Sequence, residues 1–145
     1  MKKFKLFGII CLLLFLVKII FFFPANTVVK IKLEKIENEI QKRGYKTSWV
    51  IISEKRSKWY NSILSNSVDN SLHLQGDAID LYVFDIDGDG KFNKKDILIF
   101  KSANKYVEQL YPELSGAVGT YTNKGMPTNH MIHIDVRHSK VSFNY

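Results

Sequence analysis

The chain has 145 residues, a length typical of one domain with a short additional segment. Its single cysteine, Cys11, excludes a fold held together by disulfide bonds. The formal net charge is +7, but four of the 21 Lys and Arg residues flank or interrupt an N-terminal apolar run, which leaves 17 basic against 14 acidic residues beyond it. This balance, without a clustered basic stripe, argues against a nucleic-acid-binding protein.

Residues 1–26 predict a membrane anchor. Three lysines within the first five residues precede an apolar run from Leu6 to Phe23, which ends at Pro24 and is close to the roughly 20 residues that a membrane-spanning helix needs. Basic residues before the run place residues 27–145 outside the cytoplasm, as the domain of a single-pass membrane protein. A cleaved signal peptide, which would make the protein secreted, is the alternative, although a cut after Ala25 would place bulky Phe23 where a small residue is expected.

Residues 27–145 predict an α+β domain, with a small antiparallel sheet flanked by helices and the functional site on the sheet. Apolar residues at helical spacing predict the helices, and alternating apolar residues predict the strands. In chain order, the predicted elements are a helix from Lys30 to Arg43, a strand from Thr47 to Ser53, a short helix from Lys58 to Leu64, a loop from Ser65 to Asn70, a strand from Asp77 to Phe84, a helix from Lys95 to Leu110, strands from Ala117 to Tyr121 and from Met131 to Arg137, and a last short strand from Val141 to Tyr145.

Two histidines and one aspartate are candidate zinc ligands. His73 and Asp80 flank Gly76, which lets the backbone turn between them, and His133 lies on a later predicted strand that can pair with the first. Two imidazoles and one carboxylate leave the fourth zinc position to water, as in catalytic rather than structural zinc sites. The alternative is that each residue has an unrelated structural role.

A second candidate metal site is the segment from residue 85 to residue 96, which fits the template of a calcium-binding loop. Asp85, Asp87, Asp89 and Asp96 occupy loop positions 1, 3, 5 and 12, and Lys91 at position 7 offers its backbone carbonyl. The aspartate at position 12, where glutamate is usual, resembles the loops of dockerin modules. The alternatives are a solvated acidic turn and, for Asp96, an acid that stabilises the start of the following helix.

The zinc-ligand candidates belong to a longer pattern. Ser71-x-His73-x-x-Gly76-x-Ala78-x-Asp80, followed by His133-x-Asp135, resembles the zinc D-alanyl-D-alanine carboxypeptidases and related peptidoglycan peptidases, which share their metal site with Hedgehog signalling domains. The resemblance extends to the segment from Ser53 to Ser57 with Asn61, to Gly119-x-Tyr121 and to the segment from Ile132 to Arg137.

This resemblance implies that His73, Asp80 and His133 bind zinc. It also implies that Arg56 binds the substrate carboxylate or stabilises the developing oxyanion. The expected activity is that of a D,D-carboxypeptidase or endopeptidase that acts, as a monomer, on the peptides of cell-wall peptidoglycan. The calcium loop would then fix the strand-to-helix connection beside the zinc site.

The group that accepts the proton of the zinc-bound water is the point at which the chain departs from the family. Many relatives carry a histidine two residues before the last ligand and a glutamate a few residues earlier, where this chain has Met131 and Pro127. Asp135 shares a strand face with His133, and it is a candidate either for this base or for a carboxylate that orients the imidazole. His130 is a further candidate base.

The missing histidine and glutamate keep two other functions open. One is a non-catalytic, Hedgehog-like binding module at the cell surface, stabilised by zinc and calcium. The other is a calcium-regulated adaptor in which the acidic loop is the working part.

Overall fold

An α+β fold is formed by the residues that the computed structural model describes, which are 22–64, 68–121, 124–125, 128–137 and 141–144. The strands are β1 (Phe22–Phe23), β2 (Trp49–Ser53), β3 (Lys55–Arg56), β4 (Ala78–Val83), β5 (Ala117–Thr120), β6 (Met131–Asp135) and β7 (Val141–Asn144). The helices are α1 (Thr27–Lys42), α2 (Lys58–Ile63), α3 (Leu72–Gln75) and α4 (Lys94–Leu110), with 3₁₀ turns at Pro112–Leu114 and Thr128–His130. The predicted fold class is confirmed, whereas α3 and the pairing of β1 with β3 were not predicted.

The main sheet places the candidate ligands on neighbouring strands. Four antiparallel strands follow the order β2-β4-β6-β5, and β7 extends the sheet by pairing in parallel with β5. In the register of β4 and β6, Asp80 lies opposite His133, and Ile79 lies opposite Ile134. Side chains of directly opposed residues project to the same face of a sheet, so Asp80 and His133 are neighbours on one face.

The other face of the sheet is covered by α1 and α4, which together with it form the hydrophobic core. The buried residues of α1 recur three or four positions apart, and α4 begins with a capping box between Asn93 and Asp96. The core side chains are Val29, Leu33, Ile36 and Ile40 of α1, Ile99, Phe100, Ala103 and Val107 of α4, and Ile79, Leu81, Val83, Val118, Ile132 and Ile134 of the sheet. Because the apolar face of β4 turns towards the helices, Asp80 is left on the opposite face.

A buried polar junction joins the two helices to β6. Lys32 lies on the packing face of α1 and is completely buried, and its Nζ donates to Oε1 of Glu108 on α4 and to the backbone carbonyl of Asp135, both at 2.8 Å. Burial lowers the pKa of Lys32, against the opposing effect of Glu108. The backbone N–H of Gly116 donates to the same Oε1 at 3.1 Å. The buried ammonium of Lys32 therefore has a charged and a neutral partner, as a buried charge requires.

The folded domain includes residues that the sequence assigned to the N-terminal segment. Phe22 and Phe23 pair with Arg56 and Lys55 across β1 and β3, and Ala25 is buried in the core. The rest of the predicted membrane segment lies outside the described residues. Within the described part of the chain, no helix has the length and apolar character needed to cross a membrane.

We expect replacement of Gly116 by alanine to destabilise the fold strongly. A Cβ atom at this position would lie 2.1 Å from the backbone oxygen of Asp135, a contact that only a backbone shift relieves. Overpacking of this kind costs more than about 2 kcal/mol in the free energy of unfolding, measured by urea denaturation. Gly125→Ala is the matched control because nothing lies within 4 Å of a Cβ there. Equal effects of the two substitutions would contradict the close approach at Gly116.

Candidate metal centre

His73 is positioned by a single-turn helix and by a backbone carbonyl. The Ser71 hydroxyl accepts from the His73 N–H at the start of α3, and Gly76 ends the helix with a φ of 85°, a left-handed conformation that glycine adopts without strain. The His73 ring is buried, with Nδ1 2.7 Å from the carbonyl oxygen of Glu54. Since a carbonyl only accepts, Nδ1 carries the proton in the neutral ring, and the lone pair lies on Nε2.

The three candidate ligands converge on one point. Nε2 of His73 lies 3.2 Å from Oδ2 of Asp80 and 3.3 Å from Nδ1 of His133. Nδ1 of His133 lies 2.8 Å from Oδ1 of Asp80. All three side chains are buried, and one ligand atom from each lies within 4.8 Å of the others. The structure thus brings together the predicted His73, Asp80 and His133.

These separations fit a divalent metal ion. Ligand atoms at bond lengths of 2.0–2.1 Å in a tetrahedral site are about 3.3 Å apart, close to the 3.2 and 3.3 Å observed from Nε2 of His73. The donor set of two imidazoles and one carboxylate also suits such an ion. The cluster could therefore hold a metal ion with three protein ligands.

Asp135 lies behind His133, on the side away from the ligand nitrogen. Its Oδ2 is 3.2 Å from Nε2 of His133, and its Oδ1 accepts from Nε of Arg137 at 2.8 Å and from the N–H of Ala117 at 2.7 Å. A second guanidinium nitrogen of Arg137 also pairs with Oδ2. Both oxygens of this completely buried carboxylate are engaged. Of the two roles considered for Asp135, these contacts support the orientation of His133 and give no support to a base that reaches the metal-bound water.

The charges of the cluster are strongly coupled. Burial alone would lower the pKa of His133, but hydrogen bonds with Asp135 and Asp80 raise it to about 8. Burial would raise the pKa of Asp135, but hydrogen bonds from His133 and Arg137 lower it to about 2. Burial would raise the pKa of Asp80, but the hydrogen bond from His133 and the contact with His73 hold it well below its ordinary value. The proton on Nδ1 of His133, which faces Asp80, thus lies on the nitrogen that a metal ion would bind.

Arg56 adds a fixed positive charge beside the ligand carboxylate. Its Nε donates to Oγ of Ser53 at 2.7 Å, and one terminal nitrogen pairs with Oδ2 of Asp80. Among the described residues, the other terminal nitrogen has no hydrogen-bond partner. The predicted Arg56 is therefore at the metal centre, with N–H groups that can still bind an anionic group.

His130 is held elsewhere. Its Nδ1 lies 3.1 Å from the carbonyl oxygen of Val83, and its ring stacks on Phe92 and Tyr82 with centroids 4.4 and 5.1 Å away. The described contacts of this ring do not include a ligand of the metal centre. The structure does not bring this candidate base to the cluster.

The acidic loop forms a second group of carboxylates. Oxygen atoms of Asp85, Asp87 and Asp89 lie within 4.8 Å of one another, and the Lys91 N–H donates to Oδ1 of Asp89 at 2.9 Å. The Lys95 ammonium lies 2.8 Å from Oδ2 of Asp87 and lowers the pKa of that carboxyl. A cation bound between the three carboxylates would compete with Lys95, whose side chain is largely exposed.

Asp96, the fourth aspartate predicted to bind calcium, is not one of the three grouped carboxylates. Its Oδ1 accepts from the N–H groups of Ile86 and Asp87 at 2.7 and 3.2 Å, and its Oδ2 accepts from the N–H of Asn93 at 2.7 Å. The side chain is completely buried at the start of α4. These contacts match the alternative considered for Asp96, an acid that caps the helix.

Comparisons of the chain with protein-family models, with curated proteins and with solved structures found no significant match. The function is therefore inferred from the motif residues and from the geometry of the candidate metal centre.

Three groups at or behind the metal centre were not assigned a role from the sequence. Glu54 acts on His73 through its backbone carbonyl, for which a side-chain pattern gives no signal. Arg137 pairs with Asp135 two residues earlier on the chain, a spacing that places both on one strand face. Lys32 could have been recognised as buried, because it follows Val29 by three residues on the apolar face of α1.

We expect the stability of the metal-free protein to fall as the pH rises from 6 to 8.5. The folded-state pKa of His133 is raised from 6.5 to about 8, so its contribution is complete below pH 6.5 and is lost as the pH passes 8. The loss is about 2 kcal/mol. With excess metal the trend should reverse, because metal binding needs the neutral imidazole. Thermal unfolding with chelator or with Zn²⁺ measures both trends, and parallel curves would contradict the exchange of proton for metal.

We also expect Asp135→Asn to weaken metal binding about 10- to 100-fold, the usual effect of losing a carboxylate that orients a ligand histidine. Competition with a chromophoric chelator measures the affinity. Asp69→Asn is the control because Asp69 lies in an exposed turn. An unchanged affinity in Asp135→Asn would show that the contact with Nε2 of His133 does not orient the ligand.

Proposed function

We propose that the protein is a zinc-dependent peptidase that cleaves peptides of cell-wall peptidoglycan as a D,D-carboxypeptidase or endopeptidase. The observation that supports this proposal most directly is the convergence of His73, Asp80 and His133 on one point. Three protein ligands leave a fourth position for water, as in catalytic zinc sites. The motif around these residues resembles that of the peptidoglycan peptidases, and the predicted N-terminal anchor would place the domain outside the cytoplasm, where this substrate is found.

Zinc is the proposed metal because of the donor set. Imidazole nitrogen and carboxylate oxygen are common zinc ligands, and no thiolate is needed. When bound, zinc would polarise a scissile carbonyl and lower the pKa of its water. The contacts of His73 with the Glu54 carbonyl and of His133 with Asp135 fix which nitrogen of each ring is available for the metal.

Arg56 is proposed to bind the substrate. The guanidinium is fixed by Ser53 and Asp80, and its remaining N–H groups can donate hydrogen bonds to a terminal carboxylate or a developing oxyanion. An anion that approaches the metal centre would meet this charge directly.

The acidic loop is proposed to bind calcium through Asp85, Asp87, Asp89 and the carbonyl of Lys91. The grouping of the three carboxylates supports this proposal, and oxygen ligands suit this hard cation. The loop joins β4 to α4, so the ion would stabilise the connection that follows the strand of Asp80.

A second candidate function is a non-catalytic binding module with the same metal centre. One observation favours it: of the two candidate bases, Asp135 is engaged behind His133, and His130 packs on Phe92 and Tyr82. In this case the metal and Arg56 would bind wall peptides without cleaving them.

Digestion of wall peptides separates the two functions. We expect the purified protein with Zn²⁺ to release a D-amino acid or a shortened peptide, detected by mass spectrometry, and to stop doing so with chelator or in His73→Ala. Arg56→Lys should keep the metal but lose about 10- to 100-fold in kcat/KM, since lysine does not reproduce the guanidinium fork. Peptide binding without cleavage by the zinc-loaded protein would refute the peptidase and support the binding module.

For the loop, we expect Ca²⁺ to raise the Tm of the wild-type protein but not of Asp85→Asn/Asp89→Asn. Binding to the native state alone stabilises it by mass action, and the double substitution removes two of the three grouped carboxylates. Asp69→Asn again serves as the control. A calcium-dependent Tm shift of the same size in the double variant would place the calcium site elsewhere.

A further inference from the structure

Residues Phe22–Asn26, here called the N-terminal clamp, contact two chain segments that meet at the metal centre. One is the segment from Ser53 to Arg56, and the other runs from His73 to Asp80. Lys30 of α1 also contacts the first segment, with its Nζ 3.4 Å from Oε1 of Glu54, and the second segment continues from Ala78 into β4. The clamp joins the two to each other and to the start of α1.

The first set of contacts fixes the segment from Ser53 to Arg56. Phe22 and Phe23 pair with Arg56 and Lys55 across β1 and β3. The N–H of Ala25 donates to Oε1 of Glu54 at 3.2 Å, and Ala25 itself is buried. The backbone of Glu54, whose carbonyl meets Nδ1 of His73, is therefore held between β1 and the start of α1.

The second set of contacts fixes the turn that follows His73. The N–H of Asn26 donates to the carbonyl of Gly76 at 2.8 Å. Its side-chain amide donates to the carbonyl of Gln75 at 3.1 Å and to Oδ1 of Asp77 at 2.6 Å. The Asn26 side chain also packs closely on Gly76, where a Cβ atom would lie 3.1 Å from Oδ1 of Asn26.

Asn26 does not use its side chain in the ordinary way for its position. It is the N-cap residue of α1, where asparagine usually accepts a hydrogen bond from the first turn of the helix, yet it makes no such bond. Instead it donates to the turn after α3. These hydrogen bonds indicate that the Asn26 side chain positions that turn rather than stabilises α1.

The three ligands differ in how they are supported. Asp80 and His133 lie opposite each other on paired strands of the main sheet. His73 lies on a helix of four residues, α3, which is too short to be stable by itself. The position of His73 therefore depends on the Glu54 carbonyl and on the turn from Gln75 to Asp77, and the clamp holds both.

We propose that the N-terminal clamp positions His73 for metal binding, with Asn26 as the positioning residue. Metal affinity then depends on the conformation of the chain at the point where the predicted membrane segment enters the domain. The inference rests on the metal site of the proposed function and does not depend on peptidase activity.

The test compares two N-cap residues in the full-length protein. Asn26→Asp keeps a good N-cap for α1 but sets a carboxylate against that of Asp77. We expect its zinc affinity, measured by competition with a chelator, to fall about tenfold or more, as for other groups that support a ligand. The Tm without metal should change little. Asn26→Ser, which also caps well and lacks the amide donors, should show a similar loss of affinity.

The exchange of the two residues is the rescue experiment. In Asn26→Asp/Asp77→Asn, the amide of residue 77 can donate to the carboxylate of residue 26, and most of the affinity should return. Unchanged affinity in Asn26→Asp and Asn26→Ser, or an affinity that stays low in the exchanged variant, would overturn the proposal. Because zinc binding is measured without substrate, a failure of wild-type protein to cleave wall peptides would refute the peptidase and leave this inference standing.

Discussion

The buried carboxylate of Asp135 links the candidate metal centre to the packing of the domain. Its oxygens take hydrogen bonds from Nε2 of His133, from Arg137 and from the N–H of Ala117, while its backbone carbonyl takes one from Lys32. A buried charge is tolerated only when its hydrogen bonds are complete. One residue therefore couples the orientation of a candidate metal ligand to the packing of both long helices, since Lys32 also pairs with Glu108 of α4.

Two ligands of the candidate metal centre lie on paired strands of the main sheet, and the third lies on a short helix. Asp80 and His133 are fixed by the register of β4 and β6, whereas His73 depends on a short helix and on contacts with residues distant in the chain. Without a metal ion, a proton shared between His133 and two carboxylates stabilises the cluster. A metal ion bound at the cluster would displace the proton on Nδ1 of His133, because metal binding needs the neutral imidazole. If the N-terminal clamp positions His73 as proposed, metal affinity depends on the geometry of this third ligand.

The sequence predicted the parts of the fold that follow from local periodicity. The apolar spacing predicted the helices α1 and α4. The alternation along β4 placed Asp80 on the face opposite the aliphatic residues, and in the structure those aliphatic residues lie in the core. Asp135 and Asp96 each had two possible roles, which local patterns could not distinguish. For each residue, both roles require an aspartate at the same spacing and differ only in the direction of the carboxylate. The pairing of β1 with β3 was missed because Phe22 and Phe23 continue an apolar run, and their partners lie more than thirty residues away.

The most direct test of the central claim, a metal centre with three protein ligands and one open position, is X-ray absorption spectroscopy of the zinc-loaded protein. We expect a four-coordinate site with two imidazoles and two oxygen ligands at about 2.0–2.1 Å, one oxygen from Asp80 and one from exchangeable solvent. In His73→Ala, the spectrum should lose one imidazole. A site with four protein ligands, or a spectrum that is unchanged in His73→Ala, would contradict this claim.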